Sequence, residues 1–72
     1  MISIGSLVVN DSFWTFAQLF STSLKESPHG QRKYLGILSN VGIVIDTCGS
    51  DVKVVCGETV GWCYVGNVRV VP

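Results

Sequence analysis

One histidine, three cysteines and two tryptophans are the side chains of this 72-residue chain with the most chemistry to offer. Nucleophilic catalysis would need His29 beside Cys48, Cys56 or Cys63, with a carboxylate orienting the imidazole. The setting Ser27-Pro28-His29-Gly30-Gln31 reads instead as an exposed turn, and Cys56 and Cys63 fall at core positions of strand patterns. An odd cysteine count without CxxC spacing suits neither a disulfide framework nor a zinc site. The cysteines are therefore expected to be free thiols, packed as small hydrophobes in a reducing compartment. With no phosphate-cradling glycine loop either, the expectation is a protein that is not an enzyme and binds no cofactor and no metal.

Binding chemistry has two candidate sets. Trp62 and Tyr64, with Trp14, are candidate partner-binding residues, because large aromatics at a surface bury much area at small entropy cost. The competing reading of Trp62 and Tyr64 is that residues 10–35 fold over them as a second small core. The other set is the one basic cluster, Lys25, Arg32 and Lys33 with Tyr34 and His29. Cations on phosphate and a tyrosine for base stacking would serve a nucleic acid. Glu26 interrupts that cluster, and no other stretch concentrates positive charge, so a solvated loop accounts for it better.

The elements that must position these residues are mostly strands. Val41–Thr47 is β-branched and alternating, Cys48-Gly49-Ser50-Asp51 is a turn cluster, and Val52–Cys56 is a second strand. Gly57–Gly61 then connects to a third strand, Trp62–Val65, and Val68–Val71 makes a fourth after Gly66-Asn67. Pairing Thr47 with Val52 sets Ile45 opposite Val54 and Ile43 opposite Cys56. Pairing Gly57 with Trp62 sets Cys56 opposite Cys63. Ile43, Ile45, Val54, Cys56, Cys63 and Val65 then share one apolar face, and Asp46, Lys53, Trp62 and Tyr64 share the other.

The N-terminal segment supplies another strand, Ile2 to Val9, with a bulge or bend at Gly5-Ser6. Between residues 10 and 35, Phe13, Phe16, Ala17, Phe20 and Leu24 repeat at helical spacing, with Asp11 or Ser12 as a cap. They predict a short helical or irregular insert.

Composition bounds the rest. The length allows one domain, residues 1–72, burying about 60% of the surface its unfolded form exposes. Hydrophobic residues make up 47% and charged residues 14%, against about 25% charged in ordinary soluble domains. Not all of that apolar content fits inside, so some is expected to face a protein partner or another copy of the chain. Five basic residues balance five acidic ones, which gives no long-range attraction to nucleic acid or anionic lipid. No apolar run reaches the roughly 18 residues of a membrane span, and the first basic residue is Lys25, unlike a secretory leader. A cytoplasmic protein is the expectation.

Gly61-Trp62-Cys63-Tyr64-Val65-Gly66-Asn67-Val68 resembles the segment of SH3 folds in which a glycine and an aromatic open a strand, a one-turn helix follows, and a valine starts the last strand. Gly42-Ile43-Val44-Ile45 is similar to the glycine-led strand of SH3-like and KOW-type domains. Outside residues 10–35 the chain looks like the small SH3-fold proteins of tailed bacteriophages. The resemblance implies an all-β, five-stranded SH3-like barrel and a protein-binding accessory or structural role, in the host cytoplasm if viral. A KOW-like nucleic-acid or ribonucleoprotein module is the alternative it implies. Tyr64 stands where peptide-binding SH3 domains have a proline, and neither their ALYDY-like run nor their tryptophan pair is present. The resemblance therefore does not extend to PxxP recognition.

Overall fold

The structure is a computed structural model that describes residues 2–12, 16–27 and 32–71. Its seven strands are β1 (Leu7–Asn10), β2 (Gln18–Phe20), β3 (Tyr34–Ile37), β4 (Gly42–Cys48), β5 (Asp51–Cys56), β6 (Thr59–Tyr64) and β7 (Val68–Val70). They form one antiparallel sheet in the order β3-β2-β6-β5-β4-β1-β7. A 3-10 turn, Val65–Asn67, leads into β7, as the SH3-like segment implied. Among the described residues no helix is long and apolar enough to cross a membrane.

The expected barrel is not closed, because the edge strands β3 and β7 do not pair with each other. The sheet curls instead. Val8 and Val68 from one end of the strand order share a buried cluster with Ala17, Leu19 and Leu38 from the other, and Val44, Val52, Val54 and Cys63 lie between. A side chain ties the two ends together. Asn10 of β1 turns its Oδ1 to the Ala17 amide at 2.7 Å and to the Ser12 amide at 3.2 Å. At Gly61 β2 crosses β6 closely, since a Cβ there would lie 2.9 Å from the Leu19 Cβ.

Residues 10–35 form no helical insert among the described residues. Ala17 and Leu19 are buried while Gln18 between them is exposed, which is the alternation of a strand. Leu19, off the helical stripe, is fully buried, whereas Phe16 and Leu24, on it, are exposed. Ser21-Thr22-Ser23 also disfavours helix, because hydroxyl side chains compete for backbone hydrogen bonds. Phe13 lies outside the described residues. The sheet thus gains two strands over the five expected, and this segment is part of it.

The two hairpins depart from the expected register in different ways. Thr47 does face Val52 and Cys48 faces Asp51, but an extra residue bulges between Val44 and Asp46, so Val44 opposes Val54. A shift of one residue turns every side chain beyond it to the other face. Ile43 and Ile45, expected inside, are therefore 46% and 42% exposed, and Val44 takes their place in the core. Between β5 and β6 the turn is only Gly57-Glu58, so Cys56 faces Thr59 and Val52 faces Cys63. That register is displaced by four residues, an even number, and the faces survive. Cys63 stays inside, but Cys56 and Cys63 are not the cross-strand neighbours expected. Gly49 and Gly57 open the two turns with φ of 60° and 62°, a backbone that favours glycine as the first residue of a two-residue hairpin turn. At the N-terminus the expected bend is a turn from Ser3 to Ser6, and the strand begins at Leu7.

Candidate functional site

The outward side of the sheet carries two cross-strand rows. Leu7, Ile43, Val55 and Val60 oppose one another in sequence across β1, β4, β5 and β6, forming an apolar ridge. The second row is Asp46, Lys53, Trp62, Phe20 and Tyr34 across β4, β5, β6, β2 and β3. Directly opposed residues share a face and lie within contact reach, so this row sets acid, cation and three aromatics side by side. The Lys53 ammonium lies 5.9 Å from the centre of the Trp62 ring, and the Arg32 guanidinium 4.1 Å from that of Phe20. The Phe20 and Tyr34 rings meet edge to face, their centres 6.1 Å apart. Cations over ring faces and edge-on aromatic pairs are both attractive arrangements.

Asp51, at the start of β5, anchors the neighbouring loop. It is 5% exposed, and its Oδ2 accepts the Leu24 amide at 2.7 Å and pairs with Arg32 at 3.5 Å. Ser23 and Glu26 build the turn that presents Leu24. The Ser23 hydroxyl donates to the Glu26 carboxylate at 3.0 Å, while the Glu26 amide donates to the Ser23 hydroxyl at 3.2 Å. Ser-x-x-Glu is the reciprocal pattern that starts a helical turn, and here it makes one turn only. Below Asp51, burial pushes the Cys63 thiol up to about 11, and the Asp51 charge adds to the effect. An inert, protonated thiol is the result.

Tyr64 stands between two grooves. A groove of about 350 Å³ is lined by Phe16, Gln18, Phe20, Leu24, Arg32 and Asn67, with Asp51 and Tyr64. A second, of about 370 Å³, is lined by Lys25, Cys48, Gly49 and Ser50, again with Leu24, Asp51 and Tyr64. The tyrosine is 54% exposed and rests across the 3-10 turn, where a Cβ on Gly66 would collide with its ring. Gly66 thus sets how the ring lies.

The proposed partner-binding residues separate here. Tyr64 is exposed. Trp62, expected beside it as a surface anchor, is only 6% exposed, because β2 docks on β6 and brings Phe20 directly opposite it. The competing reading, in which the 10–35 segment covers this tryptophan, describes it better. Trp14 and His29 lie outside the described residues. Of the basic set, Lys25, Lys33 and Tyr34 are exposed, while Arg32 is half-buried and committed to Asp51 and Phe20. All three cysteines are free. Among the described residues no group of three His, Cys, Asp or Glu side chains could hold a metal.

Sequence reading had missed Phe16, Gln18, Phe20, Leu24, Asp51 and Asn67 as groove residues. The Ser23-Leu24-Lys25-Glu26 pattern was a local sign of the turn presenting Leu24. Asp51 and the Leu24 amide lie 27 residues apart, and no local pattern encodes such a contact. No protein-family model, no curated protein and no solved structure matches this chain.

Proposed function

We propose that this chain is a small non-enzymatic binding module that holds an extended segment of a partner protein in the groove beside Tyr64. The observation that carries the proposal is the ring of exposed apolar groups, Phe16, Leu24 and Tyr64, around a groove that also offers the amides of Gln18 and Asn67. Apolar pockets with a few polar groups suit side chains, and side-chain amides suit the peptide backbone between them. The SH3-like reading belongs to the same proposal. It is supported by the curled strand order and by the 3-10 turn before the last strand. An accessory or structural role in an assembly, of the kind found among small phage SH3-fold proteins, rests on that likeness. The KOW-like reading has less support, because Arg32 is already paired with Asp51.

A random peptide library selected on the domain tests the proposal. Enriched peptides should lose about tenfold or more in affinity on Tyr64→Ala, the range of a central aromatic anchor, with the thermal midpoint nearly unchanged. Gly66→Ala should also weaken them by displacing the ring. Peptides that bind the Tyr64→Ala protein as tightly as the parent would refute it.

A further inference from the structure

The two grooves at Tyr64 are not chemically alike. The first holds charge already neutralised within the chain, since Arg32 faces Asp51. In the second, Lys25 is the only cation among the described residues lining the wall, and its stem lies against Gly49, with Cδ 3.8 Å from where a Cβ would sit. The acids that might have answered it are used elsewhere. Asp51 takes the Leu24 amide and Arg32, and Glu26 takes the Ser23 amide and hydroxyl. Among the described residues Lys25 joins no ion pair. Leu24, Asp51 and Tyr64 border both grooves, so a single extended chain crossing Tyr64 would meet both.

From this asymmetry we infer that the segment bound is acidic at one end. Its apolar side chains occupy the groove of Phe16, Phe20 and Leu24, and an Asp or Glu carboxylate beyond Tyr64 meets Lys25. The inference rests on the peptide-groove reading above and adds the partner's charge and its place beyond Tyr64. Complementary charge mainly fixes which partner binds and in which register. One salt-dependent contact to an exposed lysine is a modest contribution beside the apolar anchors.

The test is fluorescence anisotropy with a labelled short peptide of leucines followed by glutamates, and with its counterpart carrying glutamines instead. The glutamate peptide should bind about twofold to fivefold more tightly at low salt, the range of an exposed charge pair. That advantage should vanish on Lys25→Gln and reverse on Lys25→Glu, with both variants folded by circular dichroism. A leucine-to-lysine peptide preferring the Lys25→Glu protein would confirm the pairing by charge exchange. Binding that falls on Tyr64→Ala but ignores both Lys25 variants would overturn the acidic assignment and leave the groove standing. Binding insensitive to Tyr64→Ala as well would remove both.

Discussion

Strands β5 and β6 have two sides built on different terms. Inward, Val52, Val54 and Cys63 are buried with Val44, Leu19 and Leu38 in a cluster with no charge in it. Outward, Asp51, Lys53, Trp62 and Tyr64 share a face, and burial there comes with direction: cations over rings, a carboxylate on an amide and on a guanidinium. The inner side needs only apolar groups of fitting volume. On the outer side each group depends on a particular neighbour, because a buried polar atom left unpartnered is costly. Those directional contacts add to the register that the buried face selects.

The sharpest way to break the contrast is Trp62→Ala. If the outer layer is packed like a core, the change should cost about 3–5 kcal/mol of stability, measured by chemical denaturation. A loss under about 1 kcal/mol would show that Trp62 only rests on the surface. The inner side can be tested by pH. The Cys63 thiol ordinarily titrates near 9.0 but in the fold only at about 11, so the folded form holds its proton more tightly. The associated stability is complete below about pH 9 and is lost as pH rises toward about 11, amounting to about 2–3 kcal/mol. Cys63→Ala should remove that part of the alkaline decline, and identical alkaline limbs would show that Cys63 is not shielded. The smallest expected effect is Asp51→Asn, which keeps an acceptor for the Leu24 amide but gives up the charge facing Arg32. A loss of about 1–2 kcal/mol is expected, with the midpoint falling while the fluorescence maximum of Trp62, read in a Trp14→Phe background because the chain has two tryptophans, stays put. A shift of that maximum would mean that the two outer contacts are one unit.

How much of this was legible in the sequence follows from parity and distance. Gly49-Ser50 announced its turn, and the Thr47–Val52 pair was right. The bulge at Ile45 has no mark in a run of Ile and Val, since either residue packs equally well, so alternation alone exchanges the faces of Ile43 to Ile45 and leaves Asp46 and Thr47 in place. Gly57-Glu58 has the same glycine-first form as Gly49-Ser50, yet Thr59 and Val60 beside it read in sequence as connection. The displacement of that register is even, so Trp62 and Tyr64 lie on the face opposite the core in either register. What alternation could not show is that β2 would dock against Trp62. Phe20 and Trp62 are far apart in the chain, and the aromatic spacing around Phe20 suits a helix as well as a strand. The site is built from such distant pairs, which is why Tyr64 was visible as a candidate while the groove around it was not.

The pairing of β1 with β7 has a mechanical consequence. Val71 donates to the Leu7 carbonyl at 2.8 Å, and the ladder then runs inward through Val8–Val70, Val9–Arg69 and Asn10–Val68. The segments before β1 and after β7 therefore leave from the same end of the ladder. Tension between them would load one rung at a time, peeling the strands like a zipper instead of shearing all rungs together. Once the bonds that hold Gly5 and Ser6 to Val44 have given way, the β1–β7 seam would part at a smaller pull than the same rungs loaded in shear.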